Sequence, residues 1–391
     1  CITYSNSSDD PPASVTLDWT FNDGTTNSTG TNQTTVTITP VNDAPTLTAT
    51  GATPTFTEDG AAVDLFSAVT ANTVESGQTI TGLTLTVTNV ADTTERLGID
   101  GSTIDLTNGA TGTTTTNGMT YNVAVNAGTA TITLTKAAGI TTAQTQTLVD
   151  GITYSNSSQN PSTGSNRVVT ITQITDSGGV ANGGVATTSL AIASTVTVAG
   201  INDVPTIANL NGDTASFVVG STTPVKLDSG TAASVTDVDD VDFNGGFLLA
   251  THSSGTITAG GDFSFDGTTV KAGTDGLIAA GETVSVGGTV IGTVDNTSAG
   301  QDGVGLKIAF NANATPTLVS TLLQNLYYLE ATASTGTRPI AISINDGAGD
   351  STAATVTLTG TPKPTITSAT YNATSGVLNV TGTDLVANAG A

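Results

Sequence analysis

Acidic side chains carry most of the chemistry open to this chain. It has 32 Asp and Glu against 8 Lys and Arg, with a single His. The densest group is Asp237-Val238-Asp239-Asp240-Val241-Asp242. Four carboxylates in six residues repel one another, and a divalent cation that takes oxygen ligands relieves the repulsion. If the segment is extended, alternation puts Asp240 and Asp242 on one side; if it loops, Asp237 and Asp239 chelate together. Two further stretches offer oxygens, Val41-Asn42-Asp43-Ala44-Pro45 and Ile201-Asn202-Asp203-Val204-Pro205. Their Asn and Asp serve either as ligands or as turn hydrogen-bonding groups. Glu58 and Asp59 follow the first copy, close enough in sequence to approach Asn42 and Asp43. Asn72-Thr73-Val74-Glu75 corresponds to the 237–242 loop but keeps only Glu75, and the second copy has Ser216-Phe217-Val218-Val219 where the first has Glu58-Asp59. Asp176 and Asp346 stand at hairpin turns, where ordinary turn chemistry competes with a ligand role.

The elements that hold these residues are strands. Proline fixes φ and biases its predecessor to an extended conformation, so each Asn-Asp-x-Pro stretch reads as a stiff connection between domains. The two copies are 203 − 43 = 160 residues apart, one all-β domain per interval. Alternating Thr/Val-rich runs predict strands over Val15–Phe21, Thr34–Thr39, Ile80–Val90, Tyr121–Val125, Ala130–Thr135 and Val168–Ile174. Ile140–Val149 is the one helix-like stretch of its repeat, and Thr315–Leu326, with Pro316 in its first turn, is its counterpart. Cys1-Ile2-Thr3-Tyr4-Ser5-Asn6-Ser7-Ser8 matches Gly151 to Ser158 in all but its first residue, an offset of 151 − 1 = 150. Residues 1–43 therefore read as the last part of a truncated repeat, 44–203 as a complete one, 204–361 as a divergent complete one, and 362–391 as the start of a different β-module. Cys1 reads as an ordinary strand residue, with a lipid-bearing terminus as the alternative.

Composition narrows the function classes. A net charge of −24 leaves nothing to neutralise nucleic-acid phosphates. The single cysteine forms no internal disulfide, so stability rests on packing, hydrogen bonds and metal. No run approaches the roughly 18 apolar residues of a membrane-spanning helix. His252 lies beside Ser253, but no nucleophile elbow or metal-ligating His pair accompanies it. With aromatic residues at 4%, a sugar-binding cleft is also disfavoured, and the chain reads as a non-enzyme.

The Asn-Asp-Ala-Pro connection, the Ile-Thr-Tyr-Ser-Asn segment at 152–156 and the Thr-rich hairpin ending at Asp176-Ser177-Gly178-Gly179 together resemble the cadherin-like tandem repeats of very large bacterial surface adhesins. The resemblance spans nearly all of residues 1–361. It implies an all-β fold: a string of immunoglobulin/cadherin-like β-sandwiches joined by short Asn-Asp-x-Pro linkers, with one short helix per repeat. It also implies calcium (Ca2+) at the connections, with ligands at Asn42, Asp43 and Glu58, and a cell-surface stalk as the setting. The expected mechanism is mechanical, calcium stiffening the connections between neighbouring repeats of one chain. The alternative is a filament or surface layer of identical chains held by strand exchange.

Overall fold

The computed structural model describes residues 2–30, 32–252, 261–330 and 335–385. Cys1 and Ser253 lie outside the described residues. The chain divides into two compact units, Cys1–Ile201 and Asn202–Ala391.

In the first unit, the strand Ile80–Thr88 alternates buried and half-buried residues from Gly82 onward, with Leu83, Leu85 and Val87 turned inward. That period of two is what a strand with one face on a core requires. The strand pairs on one side with Thr129–Ile140 and on the other with Arg167–Asp176, both antiparallel. Thr120–Asn126 and Thr111–Thr113 extend the sheet on the first side. Thr187–Ala199 and then Thr55–Thr57 extend it on the other, giving seven strands. The hairpin at Asn126-Ala127-Gly128-Thr129 has positive φ at both central residues, 47° and 74°, the conformation that matches the twist of a two-residue hairpin. A second sheet of four strands runs Val63–Asp64, Thr153–Asn156, Glu95–Ile99, Ser102–Asp105. The inward residues of both sheets form a single core that includes Leu85, Ile132, Ile171, Leu97, Ile104 and Tyr154. Each fully buried Leu or Ile contributes about 1.5–3 kcal/mol.

The first strand of the large sheet, Thr55–Thr57, lies parallel to the last, Thr187–Ala199. The second unit repeats this feature, with Thr214–Val218 parallel to Ala354–Thr361. Its eight-stranded sheet faces three strands, Val225–Lys226, Leu326–Glu330 and Gly261–Phe265, across a second core. Two sheets closed over one core, with first and last strands parallel, make each unit an immunoglobulin-like sandwich.

One short helix accompanies each sandwich. α1 (Thr142–Asp150) starts at a capping box in which the Thr141 hydroxyl accepts from the Gln144 N–H, and the Gln144 side chain accepts from the Thr141 N–H. It begins two residues later than the sequence suggested, because Ile140 still pairs with Ile80. α2 (Pro316–Gln324) is capped by Thr315 and has Pro at its start. No helix among the described residues is long and apolar enough to cross a membrane.

The hairpins at either end of the chain differ from the sandwiches. Ser14–Asp18 pairs only with Gln33–Thr37, and Thr365–Asn372 only with Val377–Thr383. No described residue of either hairpin is buried.

Candidate metal centre

Asn202 and Asp203 open the second unit. The Asn202 amide donates to Asp346 Oδ2 at 2.9 Å, and the Asp203 N–H donates to Asp239 Oδ2 at 3.1 Å. Asp346 follows the strand Gly336–Asn345 and starts a tight turn, its Oδ1 accepting the Ala348 and Gly349 N–H groups. The 237–242 segment is a loop, not a strand: Asp237 Oδ1 accepts from the N–H groups of Asp239, at 3.2 Å, and Asp240, at 3.0 Å. This curl turns the carboxylates inward. Oxygens of Asp237, Asp240 and Asp346 lie within 4.8 Å of one another. Asp203 Oδ2, Asp237 Oδ2 and Asp239 Oδ1 are buried and have no hydrogen-bond partner.

The electrostatics follow. Burial pushes the Asp240 carboxyl above the ordinary value, and the charges of Asp239, Asp346 and Asp242 add to it. Burial likewise raises Asp237. Burial acts on Asp346 in the same sense, but donors from Asn202, Gly349 and Ala348 outweigh it and hold that carboxyl below the ordinary range. A set of carboxylate oxygens without nitrogen or sulfur suits a hard cation. Buried oxygens with no donor are the places such a cation would occupy.

The first unit has the same arrangement in a reduced form. The Asn42 amide donates to Asp176 Oδ1 at 3.2 Å and to the carbonyls of Gly179, at 3.1 Å, and Val185, at 2.7 Å. The Asp43 N–H donates to Glu75 Oε1 at 2.6 Å. Asn42, Asp43, Glu75 and Asp176 therefore come together, as do Asn202, Asp203, Asp237, Asp239, Asp240 and Asp346 in the second unit.

Glu58 and Asp59 do not join them, contrary to their nearness in sequence. Glu58 follows the strand Thr55–Thr57, whose parallel pairing carries it to Ala199. Its N–H donates to the Ala199 carbonyl, and its Oε2 accepts the Ile201 N–H at 2.8 Å. Asn42 instead meets Val185, before the first residue of Thr187–Ala199. The intervening strand has 13 residues, about 40 Å of extended chain. Asp59 accepts from the Gln159 amide at 2.8 Å.

Two buried constellations escaped the sequence reading. In the first unit Arg167, on the large sheet, bonds Glu95 on the small one through Nε, at 3.0 Å, and NH2, at 2.9 Å. Tyr154 O–H donates to the same carboxylate at 3.0 Å. Burial, with the Glu95 charge adding, keeps the Tyr154 phenol protonated far above its ordinary range. In the second unit Arg338 pairs with Glu330, which stands on the same strand as Tyr328, whereas Glu95 and Tyr154 stand on neighbouring strands. There His252 is half-buried against Phe263 and Tyr328. Burial lowers its pKa, so the ring is neutral at pH 7. A tyrosine in the small sheet beside each bridge, Tyr154 in the first unit and Tyr328 in the second, is a sequence signal that could have found them.

No family model matches the chain, and no curated protein matches it. Among solved structures it is similar to Drosophila N-cadherin EC1-3, at 9% identity over 85% of this chain and 72% of that one, with a TM-score of 0.19. The C-terminal domain of the Streptococcus agalactiae AgI/II polypeptide BspA gives 8% identity, 81% and 99% coverage and a TM-score of 0.19. Domains 4–9 of the surface layer protein SbsC give 12% identity, 93% and 37% coverage and a TM-score of 0.17. Scores of this size carry no inference about activity or ligands.

Proposed function

We propose that the chain is a structural segment of an extracellular surface stalk, in which calcium ties an Asn-Asp-x-Pro connection to the sandwich that follows it. The carrying observation is the convergence of Asp237, Asp240 and Asp346 to within 4.8 Å, beside buried oxygens that lack any donor. Calcium takes six to eight oxygens from carboxylates, carbonyls and waters, and tolerates irregular geometry better than magnesium does. Asp237, Asp240 and Asp346 would hold the ion, with Asp203 and Asp239 supplying further oxygens. Because Asn202 and Asp203 are themselves hydrogen-bonded to two of these carboxylates, occupancy would reduce the freedom of the connection.

The wider setting agrees with this reading. Each sandwich buries its own core, as serial modules do. A charge of −24 on 391 residues keeps such a surface solvated. Thermal unfolding tests the reading. Excess EGTA should lower the melting temperature, and calcium but not magnesium should restore it. An unchanged melting temperature and sedimentation rate in chelator would discard it.

A second reading rests on the hairpin Thr365–Asn372/Val377–Thr383. All its residues are exposed, Ile366, Tyr371 and Leu378 among them. A two-stranded hairpin is marginal alone, and its free edges would accept a strand from another copy of this chain. Polymers that form with rising concentration and survive dilution would favour this filament; a strict monomer would count against it.

A further inference from the structure

The leading ends of the two units share a plan but differ in what compensates their charge. Two pairs of hydrogen bonds set the correspondence: Asn42 to Asp176 matches Asn202 to Asp346, and Asp43 N–H to Glu75 matches Asp203 N–H to Asp239. Counting along the loop from Glu75 and Asp239 then places Thr73 at Asp237, Ser76 at Asp240 and Gln78 at Asp242. Every other acid of the second loop is neutral in the first. At the matched positions three carboxylates remain (Asp43, Glu75, Asp176) where the second unit has six (Asp203, Asp237, Asp239, Asp240, Asp242, Asp346); Asp10, outside the matched set, adds one against Ser76.

An amide, Gln78, stands in the first unit where the second has Asp242. Gln78 Nε2 donates to Asn42 Oδ1 at 2.7 Å, which aims the Asn42 amide at the Asp176 carboxylate. Gly178 makes room for the pair: a Cβ there would lie 1.8 Å from Asn42 Oδ1 and 2.5 Å from Gln78 Nε2. The loop is also shaped without Asp237's counterpart. The Glu75 N–H donates to the Thr73 carbonyl at 2.9 Å across Val74, whose φ is +68°. The Thr73 hydroxyl closes the same turn on the Glu75 carbonyl. The Ser76 N–H is taken by Asp10 at 3.0 Å. Glu75 Oε2 and Gln78 Oε1 are buried without partners. Gln78 Oε1 belongs to a neutral amide, which a donor such as water satisfies; Glu75 Oε2 belongs to a carboxylate, whose charge adds to burial in raising the Asp176 carboxyl.

We propose that this amide clasp makes the leading end of the first unit independent of calcium, so that calcium acts on the second unit alone. The proposal rests on the calcium reading of the second unit given above. A stalk of such repeats would contain connections of two kinds, of which chelation releases one.

Hydrogen exchange of the intact chain, read by mass spectrometry in calcium, magnesium and EGTA, tests it. Peptides covering 202–205, 237–242 and 346–349 should be protected by calcium by about tenfold or more, while those covering 42–45, 73–78 and 176–179 stay unchanged. Equal protection of both sets would overturn the proposal and leave the calcium reading standing. No response in either set would overturn both. The substitutions Thr73→Asp, Ser76→Asp and Gln78→Asp together should install a calcium response in the first set. A folded triple variant without one would refute the roles given to these positions.

Discussion

The backbone N–H of Asp203 donates to the carboxylate of Asp239 at 3.1 Å. This bond brings two acids together across 36 residues of chain, and it leaves Asp203 Oδ2 and Asp239 Oδ1 buried without donors. The two carboxylates carry like charge and repel, which a cation bound beside them would offset.

The two states therefore predict opposite signs for one substitution. Asp239→Asn should stabilise the second unit by about 1 kcal/mol in EGTA, because a repelling charge is gone. In millimolar calcium it should destabilise, because a ligand is lost. Urea denaturation in each condition measures both. The same sign in both would contradict a metal role.

The Arg167–Glu95 bridge makes a second case. Both side chains are at most 1% exposed, so removing one partner strands a buried charge. Glu95→Gln should cost about 3–5 kcal/mol, whereas Glu95→Leu combined with Arg167→Met should cost less than either single change. A double-mutant cycle reads the difference; additive losses would show that the pair does not act as a unit.

Val74 is β-branched and sits at φ +68°, where such residues are strained by about 1–3 kcal/mol. Val74→Gly relieves that strain at an entropic cost of about 0.5–1 kcal/mol. The variant should be more stable than the parent by about 1 kcal/mol. A lower denaturation midpoint would mean that the turn is not held in this conformation.

Asp266 predicts an acid limb. Burial acts to raise its pKa, but the Thr268 hydroxyl and the Val270 and Thr269 N–H groups outweigh it and hold the carboxyl far below 3.8. The unfolded chain therefore binds the proton more readily. The stabilisation is fully present above the unfolded value and is lost as pH falls through the folded one. Asp266→Asn should lower stability at pH 7 and flatten the loss of stability between about pH 4 and pH 2. An unchanged acid limb would exclude this group as its source.

The strands and helices were legible in the sequence because the signals for them are local. The Ile80–Thr88 strand shows a period of two over most of its length, and Pro316 suits the first turn of a helix. The dense acids at 237–242 likewise marked an oxygen-rich segment through their mutual repulsion, with extended and looped forms both open. Which acids meet was decided by the tertiary structure. Asn42 reaches Asp176 across 134 residues, and Asn202 reaches Asp346 across 144, distances no periodicity encodes. At Asp176 and Asp346 the sequence left a turn role and a ligand role in competition, because their partners lie in a connection far away in sequence. Glu58 was misplaced for the converse reason. It is near Asn42 along the chain, but the parallel pairing of Thr55–Thr57 with Thr197–Ala199 carries it to the opposite end of the sheet. Composition and period set which elements form; the non-local pairing of strands sets which carboxylates share a site, because only backbone hydrogen bonding between distant segments fixes where each loop ends.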